Sequence, residues 1–249
     1  MTRGAALASA GVRDGPLTPP RERLNVARGL RPAIRMSTSS DDIVALGGNL
    51  EPATLREAYR NGVFPWPAED LPLLWFCPRE RAILEHDHLH VGRSLARARR
   101  QSRFTFTFDT AFEDVILHCA SEPRPGQDGT WITDDMVEAY VRLNHLGVAH
   151  SVETWLDGEL VGGLYGVDTD GAFSAESMYY HEPWASKLAL LHLLDHFAAR
   201  GLGWIDIQVM TPHMERLGAR NVSRREFLAL LRRTRAKGLK LFDTPPPRA

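Results

Sequence analysis

Residues 159–213, ELVGGLYGVDTDGAFSAESMYYHEPWASKLALLHLLDHFAARGLGWIDIQVMTPH, narrow the folds open to this chain more than any other stretch. Residues 148–156 and 159–167 flank Asp157-Gly158, a pair suited to the positive backbone angles of a two-residue hairpin turn. Asp170-Gly171 marks a second turn, so residues 148–178 predict a three-stranded meander. A helix from about Trp184 to Arg200, closed by Gly201, and the strand GWIDIQV follow. Glu176, Asp206 and Gln208 interrupt these apolar runs. A buried carboxylate or amide left without a partner costs about 1–3 kcal/mol, so each must meet a polar neighbour or a substrate. Asp206 and Gln208 stand two apart, which predicts one shared strand face.

Upstream, Pro52 at a first helical position and LREAYRNG predict a short helix closed by Gly62. A stiff aromatic loop, Val63-Phe64-Pro65-Trp66-Pro67, comes next. Residues 73–76 and 82–84 read as short strands, 92–102 as a basic helix, and FTFTF at 104–108 as a half-buried strand. Asp109 is expected to cap a helix reaching Cys119, residues 121–130 to form a polar loop, and Thr133 to cap a helix ending before Gly147. The class is α/β of the mixed α+β kind. The expected division is a disordered Arg-rich head over residues 1–40, a smaller N-terminal α+β domain over 41–109, a mixed α/β C-terminal domain over 110–240 and a tail over 241–249.

The head holds seven Arg against Asp14 and Glu22, and it lacks the apolar centre of a secretion signal. It reads as a loose extension, with Met36 as an alternative start. Apolar runs such as 188–194 fall far short of the roughly 20 residues that span a bilayer, so no membrane partner is expected. Cys77 and Cys119 lack metal-type spacing and read as reduced thiols of a cytoplasmic protein. His86, His88 and His90 alternate along HDHLH and would put three imidazoles on one strand face. No cysteine or carboxylate completes a set there, so neither a metal nor another cofactor is expected.

Arg93, Arg97 and Arg100 fall at i, i+4 and i+7, one face of the basic helix, either a solvated surface or a set of phosphate contacts. Phe173, Met178, Leu164 and Leu190 could surround the polar trio as an apolar pocket, or be plain core.

Several motifs occur together in order between about residues 43 and 235. They are Gly47-Gly48-Asn49-Leu50, Ala58-Tyr59-Arg60-Asn61-Gly62-Val63-Phe64-Pro65-Trp66, Thr130-Trp131-Ile132-Thr133, Ala149-His150-Ser151-Val152-Glu153, Gly162-Gly163-Leu164-Tyr165-Gly166-Val167, Glu176-Ser177-Met178, Ala185-Ser186-Lys187 and Ile205-Asp206-Ile207-Gln208. The ordered set resembles the bacterial leucyl/phenylalanyl-tRNA protein transferases. The resemblance implies an N-acetyltransferase-like C-terminal domain that moves Leu or Phe from aminoacyl-tRNA to proteins beginning with Arg or Lys, creating an N-degron. It implies that Asp206 and Gln208 are the catalytic pair and that Glu176 reads the basic acceptor. Leu164, Phe173, Met178 and Leu190 would hold the Leu or Phe side chain. Tyr59, Trp66 and Trp131 would contact the terminal adenosine or the acceptor, and Arg93, Arg97 and Arg100 the tRNA.

Coenzyme A is disfavoured as donor, because Tyr179 to Lys187 contains no glycine for a pyrophosphate-binding turn. Trp184 stands where the family usually has Asn, Tyr179-Tyr180 where it has Phe-Ser, and Thr211-Pro212-His213 where Asn/Thr-Asp-His is commoner. These departures bear on the choice of acceptor, for which acidic N-termini are the alternative. A tRNA- or peptide-binding module without activity is the rival of a different class.

Overall fold

The structure is a computed structural model that describes residues 40–68, 71–122 and 130–243. Strands β1 (Ile43–Leu46), β2 (Phe64–Trp66) and β3 (Leu74–Phe76) form a small antiparallel sheet in the order β1-β3-β2. Seven more strands form the large sheet: β4 (Glu80–Glu85), β5 (Thr105–Phe108), β6 (Ala149–Leu156), β7 (Glu159–Asp168), β8 (Phe173–Tyr180), β9 (Trp204–Asp206) and β10 (Arg220–Ser223). Their spatial order is β10-β4-β9-β8-β7-β6-β5. Helices α1 (Pro52–Arg60), α2 (Arg93–Gln101), α3 (Phe112–Ser121), α4 (Asp134–His145), α5 (Ala185–Ala198), α6 (Pro212–Arg216) and α7 (Arg224–Arg235) complete the fold.

The expected meander is present as β6-β7-β8, antiparallel throughout. Its first turn has Asp157 at φ 52° and Gly158 at φ 88°, the two positive angles a tight hairpin requires. At Gly162 in β7 a Cβ would sit 2.6 Å from the Ala185 Cβ. The missing side chain is what lets the first turn of α5 press onto the sheet. The capping signal at Thr133 also holds, its side chain accepting from the Met136 N–H; Ser223 with Glu226 makes a further capping box on α7.

Two apolar clusters share the large sheet. One joins α5, α7 and Leu95 of α2 to residues such as Leu164 and Ile205. The other joins the small sheet, α1, α3 and α4 to Tyr165 and Tyr179. Leu164 and Tyr165 are neighbours in β7, and successive strand side chains point to opposite faces, so the clusters lie on the sheet's two sides.

Several sequence expectations need correction. The boundary at residue 109/110 does not follow the sheets: β4 and β5 precede it yet belong to the seven-stranded sheet. Leu241 and Phe242 are not tail, since Leu241 is fully buried and the Phe242 ring stacks on His150 at 3.8 Å. Asp109 does not cap α3, whose N-cap is Ala111. With φ 54°, Asp109 turns its carboxylate back to accept from His150 Nδ1 (2.6 Å), Ser151 N (2.9 Å) and Asn144 Nδ2 (3.2 Å). His86–His88 form a 3-10 turn rather than a strand face. Residues 1–39 of the expected head, 123–129 of the polar loop and 244–249 of the tail lie outside the described residues.

Candidate active site

The site begins where two strands part. β8 and β9 run parallel and pair at Ser174 and Asp206. Beyond that pair the Gln208 side chain bridges the gap, its Nε2 donating to Glu176 Oε1 at 2.6 Å. Gln208 is not on the same regular strand as Asp206. β9 stops at Asp206, and Gln208 adopts φ 60°, a left-handed conformation rare outside glycine. The cause is local. Asp206 Oδ1 accepts the Gln208 N–H at 2.9 Å, while Ile207 N–H and Gln208 C=O both bond Ala82, so the chain bulges against β4. The bulge re-aims the amide across the splay.

Asp206 has no capacity left for base chemistry. Arg81 donates to it through Nε (2.8 Å) and Nη2 (2.7 Å), and Ser174 Oγ adds a bond of 2.9 Å. Arg81 and Asp206 side chains are 1% and 2% exposed, and the guanidinium lies 4.6 and 4.5 Å from the ring centres of Phe64 and Phe227. A buried ion pair of this kind is a positioning device, because removing one partner strands a charge in the core. Asp206 therefore fixes the backbone that holds Gln208.

Glu176 is buried, and its Oε2 has no hydrogen-bond partner among the described residues. Burial pushes its carboxyl up to about 8; Tyr59 opposes the rise, neighbouring Asp206 adds to it, and Arg81 and Gln208 oppose it. The Tyr59 hydroxyl lies beside this carboxyl but is hydrogen-bonded to the Tyr140 hydroxyl. Burial raises both phenols well above their ordinary range, so both stay protonated.

The other expected residues divide between the two faces. Leu164, Phe173 and Leu190 are buried in the cluster on the α5 side, with Met178 half-buried against it. Tyr59 and Trp131 are buried on the opposite side, where Trp66 stacks on Trp131 at 5.2 Å. Arg93, Arg97 and Arg100 are exposed on α2. Arg97, with Arg103, Phe104, Leu156 and Trp184, lines an open cleft of about 500 Å³. Arg81, Ser174 and Tyr140 escaped sequence reasoning. Arg81 stands at the start of β4 beside Arg79 and Glu80, and no signal in the sequence separates it from ordinary surface charge.

In this mixed α/β fold the Gln208 amide spans parted strands, backed by a saturated carboxylate and flanked by an apolar core, and the family comparisons give its class as aminoacyltransferase. The model of the leucyl/phenylalanyl-tRNA protein transferase family matches residues 83–232, and that of the family's N-terminal domain matches residues 48–79. A leucyl/phenylalanyl-tRNA–protein transferase of Anaeromyxobacter sp. (strain Fw109-5) is 51% identical over 193 residues, covering 78% of this chain and 82% of that one. One of Myxococcus xanthus (strain DK1622) is 50% identical over 191 residues, covering 77% and 82%. A GCN5-related N-acetyltransferase-like protein from Streptococcus suis 89/1591 aligns at 16% identity over 69% of this chain and 64% of that one, with a TM-score of 0.35. The chain belongs to the leucyl/phenylalanyl-tRNA protein transferase family, enzymes of aminoacyl transfer from tRNA to proteins. Among the described residues no helix is long and apolar enough to cross a membrane.

Proposed function

We propose that this enzyme transfers Leu or Phe from aminoacyl-tRNA to the α-amino group of proteins that begin with Arg or Lys, creating an N-degron in the cytoplasm. The observation that carries the reading is the Gln208 amide, held by Glu176 at one end of the bridge and by the Asp206-anchored backbone at the other. With Nε2 committed to Glu176, the amide oxygen is oriented to accept a hydrogen bond from the acceptor's α-amine.

The donor ester is already activated, and an α-amino group with a pKa of about 7.7–8.0 is partly neutral at cellular pH. Its nitrogen attacks the ester carbonyl, the carbon–oxygen bond to the terminal ribose breaks, and the amine's proton ends on the departing ribose hydroxyl. Little base strength is needed. The enzyme supplies orientation and a water-poor setting, which together account for large rate factors. The Glu176 carboxyl, beside the Tyr59 hydroxyl and with one buried oxygen unpartnered among the described residues, is the group the acceptor end would meet; burial keeps it protonated near neutral pH, so it would give up its proton on pairing with a cationic acceptor. Tyr59, Trp66 and Trp131 are assigned to the donor's adenosine or the acceptor and Arg93, Arg97 and Arg100 to the tRNA phosphates; Leu164, Phe173 and Leu190, closed into the core on the sheet's other face with Met178 half-buried beside them, serve the donor's apolar side chain only if that core opens to admit it.

The test offers radiolabelled Leu-, Phe- and Met-tRNA together with peptides that begin with Arg, Lys, Asp or Glu. Label is expected on the Arg and Lys peptides from the Leu and Phe donors. Label on none of them overturns the reading, and label confined to Asp and Glu peptides replaces its acceptor.

A further inference from the structure

We propose that His118, Glu122 and His181 form a binding site for one divalent first-row transition ion, Zn2+ being the best fit. The three offer one ligand atom each, and those atoms all lie within 4.8 Å of one another. Tetrahedral zinc with ligand bonds of about 2.0–2.2 Å puts its ligands roughly 3.4 Å apart.

The three positions are built for convergence. His118 lies in the last turn of α3 and Glu122, four residues on, is its C-cap, the Glu122 N–H bonding His118 C=O at 3.0 Å. His181 follows directly on β8, with its N–H bonded to Val161 C=O at 2.8 Å. The rings are held as well. His118 stacks on Tyr179 at 4.7 Å, and His181 stands edge-on to His118 at 4.8 Å and to Tyr179 at 5.3 Å. Tyr179 itself is buried, so this support is fixed.

Two imidazoles and a carboxylate favour zinc or its neighbours over Mg2+ or Ca2+, which prefer all-oxygen sets. His181 Nε2 now lies 2.6 Å from Glu122 Oε1, and among the described residues no Lys or Arg pairs with that carboxylate. The contrast is Glu85, where the carboxylate facing His88 already holds the Arg220 guanidinium and would repel a metal ion. His181 and Glu122 are 41% and 33% exposed, so an ion can enter from solvent and keep a water as fourth ligand. Once bound, it would tie the end of α3 to the end of β8. The next residues, Glu182, Pro183 and Trp184, line the cleft beside α2 and lead into α5.

The test is calorimetric titration of the full chain, stripped with chelator, using Zn2+ with Mg2+ as control, followed by X-ray absorption at the zinc edge. One Zn2+ per chain with nitrogen and oxygen neighbours is expected, with no saturable Mg2+ binding. His181→Gln, at an exposed position, and Glu122→Gln should each weaken Zn2+ binding about 10-fold or more, the scale on which metal sites respond to loss of support. His86→Gln/His88→Gln should leave it unchanged. Absence of saturable Zn2+ binding, or equal affinity in His181→Gln and the parent, overturns the site.

Discussion

Glu176 is a carboxylic acid that the fold keeps protonated well beyond the usual carboxylate range, up to about 8. The unfolded chain loses that proton near the ordinary value of 4.5, so between about 4.5 and 8 the native state binds more protons. Stability attributable to this group therefore falls as pH rises through that window and levels off above it. Glu176→Gln keeps the shape and removes the ionisation. Its melting temperature relative to the parent should rise between pH 5 and pH 8, each recovered kcal/mol being worth about 2–4 °C for a chain of this size. A pH-independent difference would contradict the assignment.

The same substitution should raise KM for an Arg-initiated peptide more than it lowers kcat. Gln208→Ala should do the reverse, lowering kcat by about 100-fold or more, and should also lower the melting temperature, because the buried Glu176 Oε1 loses its partner at about 1–3 kcal/mol. Asp206→Asn is a different experiment. It leaves Arg81 buried without its counter-charge, a loss of about 3–5 kcal/mol that thermal melting should register before any kinetics are read. The trio was legible in the sequence because polar side chains in apolar strands demand an explanation. Arg81 was not, because Arg79-Glu80-Arg81 looks like ordinary surface charge until β4 is seen inside a sheet. Nor was the left-handed turn at Gln208 legible, since an asparate-anchored bulge has no short-range signature of its own.

At the scale of elements, local chemistry decided what could be foreseen. Asp157-Gly158 demands a turn whatever surrounds it, and Thr133 supplies a cap from its own side chain. Asp109 shows the limit of that reasoning. It sits near a helix start, as a capping residue would, yet the demands of His150, Ser151 and Asn144 outweigh those of the α3 amides. Helix α2 carries the element-scale prediction. All four arginines are exposed; Arg99 is committed to Asp195 of α5, whereas among the described residues no carboxylate pairs with Arg93, Arg97 or Arg100. Replacing those three by Gln should reduce the slope of log affinity for aminoacyl-tRNA against log salt by about 2–3, one phosphate contact for each cation removed. An unchanged slope across a salt series removes α2 from the tRNA interface. Arg99→Gln should instead lower the melting temperature slightly, because an exposed pair contributes little.

The whole molecule is organised by one sheet that both apolar clusters share, and this determines how it should unfold. A boundary at residue 109/110 would leave two units able to melt separately. The structure runs β4 between β9 and β10, and it packs Trp75 of the small sheet, Leu55 and Tyr59 of α1, and Phe64 of β2 into the cluster that holds Val115, Tyr140 and Tyr165. Each cluster packs on one face of the same sheet, so neither core can come apart fully without disrupting the strands that carry the other. Calorimetry should therefore show one transition, with calorimetric and van't Hoff enthalpies equal within error. Trp75→Leu provides the decisive comparison. Trp75 is fully buried, and its indole N–H donates to Gly47 C=O at 2.8 Å, so the substitution leaves a void and an unpartnered carbonyl far from the catalytic residues in sequence. A loss of about 2–4 kcal/mol is expected, moving the whole transition down by roughly 5–15 °C as a single peak. If instead a small early peak separates while the main one stays in place, the small sheet and α1 form an independent unit. The Tyr59 hydroxyl beside Glu176 would then belong to a part of the molecule that can leave the site without unfolding it.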